Sequence, residues 1–118
     1  GSRIAKYNEA KLDEQIALEK YRQAAFNAYK DVEDALNEVR YTKEIADARR
    51  VAKVSAQKAE RRAMVRYEAG VASFMELLDV QRSANSANVA YYNAHESELN
   101  AIVHLMMALG AVEEVDTN

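Results

Sequence analysis

Apolar and small residues recur along the first part of the chain in alternating steps of three and four: Leu18, Tyr21, Ala25, Ala28, Val32, Ala35 and Val39. That spacing keeps one face of a helix turned toward another helix. A second stripe, Ile45, Ala48, Ala52, Ser55, Ala59 and Ala63, takes similar steps. Neither glycine nor proline interrupts this stretch, so the pattern predicts one helix over about 4–68, roughly 95–100 Å long. Gly70 can take the left-handed conformation that closes a helix. Ser73-Phe74-Met75-Glu76 then fits a capping box, with Ala72 and Leu77 at the hydrophobic-staple positions. A second helix is predicted over about 74–109, with Phe74, Leu77, Ala84, Ala87, Tyr91, Ala94, Ile102, Leu105 and Leu109 on its inner face. Gly110 is expected to end it, and 111–118 to fray as a short acidic tail.

A turn over 69–73 makes the two helices antiparallel neighbours. The expected fold class is therefore all-α, a long antiparallel helical hairpin or coiled coil that takes up 1–118 as one unit. The helices differ in length. The second covers roughly Val32–Glu68 of the first, which leaves Ile4, Tyr7, Leu12, Ile16, Leu18, Tyr21 and Phe26 without a partner in this chain. Much of the seam is alanine, which allows close approach but buries little area. Other copies, or other parts of a larger protein, are expected to cover the rest. Gly1-Ser2 reads as a tag remnant, and the chain as an excised fragment of a longer protein.

Composition supports helix and removes several function classes. The 118 residues hold no proline, no cysteine and three glycines, too few turn residues for a sandwich or barrel. Without cysteine there is no disulfide, thiolate nucleophile or cysteine zinc site. Lys+Arg number 16 and Asp+Glu 19, a net charge of −3, against the basic excess of a nucleic-acid binder. No apolar run is long enough to span a membrane as a helix. Charged Arg3, Lys6 and Glu9 break any secretory leader.

Charge is uneven: residues 1–70 sum to +3 and residues 71–118 to −6, and Arg40–Arg66 is the most basic stretch. The expected role of that stretch is a solvated face pairing with the acidic second helix. No catalytic set emerges. His95 and His104 are nine apart on opposite helix faces and cannot share a metal, and His95-Glu96-Ser97-Glu98 lacks the second histidine of a zinc-protease helix. The tyrosines fall at helical spacing and read as packing residues with wet hydroxyls. The expectation is a protein that is not an enzyme and uses no cofactor or metal.

The turn carries the most information. Arg66-Tyr67, Gly70, Ser73, Leu77-Leu78-Asp79 and Gln81-Arg82 form the pattern R-Y-x-x-G-x-x-S-x-x-x-L-L-D-x-Q-R. This resembles the outer-membrane efflux protein family, the TolC-like outer membrane factors. Upstream, Tyr21 to Leu36 resembles the family run Y-x-x-A-x-x-x-A-[FY]-x-[ED]-V-[ED]-D-A-L; downstream, Ala108-Leu109-Gly110 resembles its closing A-L-G. The resemblance covers about Ile4 to Gly110.

The resemblance implies a homotrimer in the parent protein, with a β-barrel in the outer membrane of a Gram-negative cell and a periplasmic tunnel of helices. It implies that this chain is the hairpin of the second structural repeat, in the periplasm. It implies a periplasmic adaptor (membrane fusion) protein as direct partner and an inner-membrane pump as an indirect one. The tip V-G-[LTV]-x-[ST] matches Ala69-Gly70-Val71-Ala72-Ser73, which assigns adaptor docking to Gly70, Val71, Ala72 and Ser73. Glu76 and Asp79 match acidic positions that ring the tunnel entrance, and Tyr67 matches a tyrosine that latches it. The latch's usual basic partner is replaced by Ala72. From the seam alone, a free-standing coiled-coil interaction module remains the alternative.

Overall fold

The computed structural model describes residues 1–117. Two helices make up the chain: α1 (Ser2–Glu68) and α2 (Phe74–Thr117), joined by a short turn. Among the described residues there is no strand. The fold is a helical hairpin, as the pattern predicts, with the turn at 69–73.

The residues group into two compact units, Asn37–Ile102 and Gly1–Leu36 with Val103–Asn118. In the first, the tip-bearing unit, Ala46, Leu77, Ala84 and Ala101 are buried. Leu77 is 3% exposed and is the one large side chain among them. In the second, Ala28 and Ala35 are buried on α1, while Leu105, Ala108, Val112 and Val115 are half-buried on α2. A core of alanine lets two backbones approach closely but gives little apolar burial, at about 25 cal/mol per Å².

The first stripe on α1 is placed as its spacing predicts from Ala25 onward, while Leu18 and Tyr21 at its start are exposed. Ala25, Ala28, Val32, Ala35 and Val39 are all buried or half-buried. The second stripe is corrected. Ala48, Ala52, Ser55 and Ala59 are exposed. The seam instead runs on from Val39 in unchanged three-four steps through Thr42, Ala46, Arg49, Lys53, Ala56, Glu60 and Ala63, of which only Arg49 is exposed. Two polar residues on the seam, Thr42 and Lys53, have partners that account for them. The Thr42 hydroxyl donates to the carbonyl of Glu38 at 2.8 Å, within its own helix. The Lys53 stem is half-buried, and its ammonium lies 4.7 Å from the ring centre of Tyr91 and 5.0 Å from that of Tyr92. This is a cation–π arrangement, with the stem lying on apolar surface and the head over aromatic faces.

The basic stretch thus reaches α2 through aromatic rings. The ion pairs Arg22–Glu19 and Arg50–Asp47, and the contact of the His95 ring with the Glu98 carboxylate at 3.7 Å, each join residues three apart on one helix. His95 also stacks on Tyr91, ring centres 5.8 Å apart.

On α2, Leu77, Ala84, Ala87, Tyr91, Ala94 and Leu105 face inward as predicted. Phe74, Ile102 and Leu109 are exposed. Their places are taken by Glu98, Ala101, Ala108, Val112 and Val115, which hold the three-four register.

The predicted end at Gly110 is also corrected, because α2 continues to Thr117. A glycine closes a helix only when it takes positive φ, and Gly70 is the one glycine that does so. Gly110 keeps helical backbone at a cost of about 1 kcal/mol relative to alanine. Burial of Val112 and Val115 on the seam beyond it offsets that cost. The stretch expected to fray is therefore helical through Thr117, while Asn118 lies outside the described residues. The longer α2 covers α1 as far as Ala25; residues 1–24 are exposed throughout. Ile4, Tyr7, Leu12, Ile16, Leu18, Tyr21 and Phe26 have large exposed side chains, as their lack of an intrachain partner predicts.

Candidate functional site

The last turn of α1 leaves carbonyls with no amide ahead of them in the helix. Gly70 solves this by turning left-handed, at φ 75°. Its N–H donates to the Tyr67 carbonyl at 3.0 Å, and the Val71 N–H donates to the Arg66 carbonyl at 2.9 Å. Those two bonds form a Schellman motif. The Ala72 N–H also donates to the Arg66 carbonyl, at 3.2 Å. Three consecutive tip amides are thus bound back onto α1.

The start of α2 is capped from the other side. The Ser73 hydroxyl accepts from the Glu76 N–H at 3.2 Å, and the Ser73 carbonyl accepts from the Leu77 N–H at 3.2 Å. Only the serine half of the predicted capping box is formed among the described residues, and the Glu76 carboxylate is exposed to solvent. Glu76 still places a negative charge in the first turn of α2, where the helix dipole favours it. Loss of the cap through Ser73→Ala should cost about 1 kcal/mol. Thermal unfolding of the variant would read this as a lowered midpoint, and an unchanged midpoint would remove Ser73 as the cap.

The side chains at the tip divide by chemistry. Val71 is 68% exposed, and Phe74 and Met75 are exposed beside it. Phe74 was expected on the inner face; instead its ring meets Tyr67 edge-on, centroids 6.0 Å apart. Tyr67 therefore bridges from α1 to α2 by ring contact. Ala72 is half-buried and Ser73 exposed. Asp79 is exposed one turn into α2, on the rim of a shallow groove of about 310 Å³ with Ala56, Ala59, Val80 and Ser83. The seven residues assigned from the sequence thus lie at one end of the tip-bearing unit, within thirteen consecutive positions. Phe74 and Met75 join them, although their outward placement was not read from the sequence; lying just after the cap, before α2 meets α1, was the available signal.

No group of acidic or histidine side chains among the described residues could hold a metal ion. What the tip offers is a rigid backbone turn, a small apolar surface and two carboxylates.

The outer membrane efflux protein family matches residues 1–111 of the chain. The chain belongs to that family. Curated proteins yielded no match, and neither did solved structures. The match covers all of α1, the tip, and α2 through Ala111. The hairpin is accordingly part of an outer-membrane efflux protein. No helix among the described residues of this efflux-protein hairpin is long and apolar enough to cross a membrane. The family's members are channels rather than enzymes.

Proposed function

We propose that this efflux-protein hairpin is a wall element of a periplasmic α-helical tunnel and docks a periplasmic adaptor through its tip. The observation that carries the reading is the tip itself. Gly70 reverses the chain without bulk, the Arg66 and Tyr67 carbonyls hold the turn, and Val71 presents apolar area outward. A fixed turn loses little conformational entropy on binding, which favours a small contact. Gly70, Val71, Ala72 and Ser73 form the docking contact. Glu76 and Asp79, repeated in each copy of a homotrimer, ring the tunnel entrance with negative charge and favour cations there. Tyr67 holds Phe74 and so keeps the two helix ends together at the entrance. The inner-membrane pump meets the assembly through the adaptor.

The mechanism needs no chemistry. Adaptor binding at the tips favours a wider arrangement of helices to the extent that it binds that arrangement more tightly. Val71→Asp puts a charge into the apolar contact without touching the backbone bonds. In the parent channel it should abolish efflux while channel levels and assembly stay normal. Drug-resistance assays with quantified trimer would check this, and full resistance in the variant would overturn the tip assignment.

A further inference from the structure

The tip-bearing unit has two broad faces, one on each side of the seam, and they are chemically unlike. On one, Lys43, Asp47 and Arg50 of α1 edge a hollow of about 240 Å³ with Tyr91, His95 and Glu98 of α2. Nearer the tip, Gln57 and Glu60 edge a second hollow, of about 210 Å³, with Gln81, Asn85 and Asn88. Long polar and charged side chains dominate that face. The other face is built of small ones. Its groove, with Asp79 on the rim, is walled by Ala56, Ala59, Val80 and Ser83. One heptad further from the tip, the positions of Ala59 and Ser83 are held by Ala52 and Ala90. Ala52, Ala59 and Ser83 are exposed, and Ala90 is half-buried.

Heptad spacing ties this second face to the entrance. Glu76, Ser83 and Ala90 are seven apart. The seam residues Leu77, Ala84 and Tyr91 of the same helix are also seven apart, so all three of the first set keep one direction relative to α1. On the reading of Glu76 and Asp79 as entrance carboxylates, on which this assignment rests, a wall that turns Glu76 toward the tunnel turns Ser83 and Ala90 toward it as well. We propose that Ala52, Ala59, Ser83 and Ala90 line the tunnel, while the polar face with Lys43, Arg50 and Asn85 looks outward.

Charge on the lining side gathers at the tip, where Arg62 and Arg66 stand with Glu76 and Asp79. Beyond Asp79, α2 gives this side Val80, Ser83, Ser86, Ala87, Ala90 and Asn93, none of them charged. Between Arg62 and Arg49, α1 gives it Ala59, Ala56, Ser55 and Ala52. From Asp79 to Asn93 the rise is about 21 Å. A cation drawn in at the tip then meets no fixed charge over that length that would hold it, and small side chains leave the passage wide. Charge selectivity is set at the tip, and the wall beyond it adds none.

The experiment uses the parent channel in a cysteine-free background, in planar bilayers; the hairpin itself has no cysteine to replace. The salt is about 0.1 M KCl, where a fixed charge is felt over about 10 Å. After reaction with a positively charged methanethiosulfonate, Ser83→Cys and Ala90→Cys should each lose at least about half of their K⁺ conductance, since each trimer gains three cations in the passage. A negatively charged reagent of the same size should lower it less. Asn85→Cys should react equally, as mass spectrometry reads it, and keep its conductance. Before reaction the three variants should keep the parent's preference for K⁺ over Cl⁻, whereas Asp79→Asn should reduce it.

Conductance losses at Asn85 equal to those at Ser83 would overturn the lining. So would Ser83 and Ala90 thiols that react with neither reagent, because a neighbouring helix would then cover this face. An unchanged ion preference in Asp79→Asn, with the losses at Ser83 and Ala90 intact, would remove the entrance carboxylates and leave the lining in place.

Discussion

Gly70→Pro should destabilise the hairpin by about 3 kcal/mol or more. Proline locks φ near −65°, whereas residue 70 sits at +75°. It also removes the N–H that bonds the Tyr67 carbonyl. The Val71 and Ala72 amides, which reach Arg66 only because the chain turns left-handed, lose their acceptor as well. Gly70→Ala is the matching control. A Cβ there would meet no atom within 4 Å, so its cost is backbone strain alone, about 1–2 kcal/mol. Urea unfolding of the two variants beside the parent chain would test the ordering. Equal losses from alanine and proline would mean that the lost amide bonds add nothing beyond the strained φ.

Leu77→Ala should have the second largest effect, about 2–3 kcal/mol. Leu77 is the single large side chain in the buried set, so its removal takes away most of the non-alanine packing near the tip. The cost lies at the lower end for a buried leucine, because neighbouring small residues on a half-open seam can close part of the cavity. Thermal unfolding should show it, and Leu78→Ala, at a half-exposed position, should lose much less. Similar losses at the two positions would place the packing elsewhere.

The tip was legible because its requirements are chemical. A left-handed residue calls for glycine, a cap calls for a hydroxyl, and Gly70 and Ser73 stand three apart with nothing else to explain them. The covered part of the first stripe was legible because Val32 and Val39 mark it among its alanines. The lower seam was not, because alanine occurs on both faces of α1 and carries little hydrophobic contrast. Following alanines led through Ala48, Ala52 and Ala59, while the register led through Thr42, Lys53 and Glu60, whose polar atoms hide a seam position. Holding the heptad phase from Val39 would have located it. Gly110 misled for another reason. A glycine permits a stop without requiring one, and the deciding burial of Val112 and Val115 lies beyond it.

The α1 seam register runs unbroken from Ala25 to Ala63, and this bears on insertions and deletions. One extra residue within α1 would rotate everything beyond it by about 100° and take half the seam out of contact. Seven extra residues in α1, matched by seven in α2, would restore every layer and lengthen each helix by about 10.5 Å. Hairpins built this way can change reach in whole heptads while the turn between them stays the same.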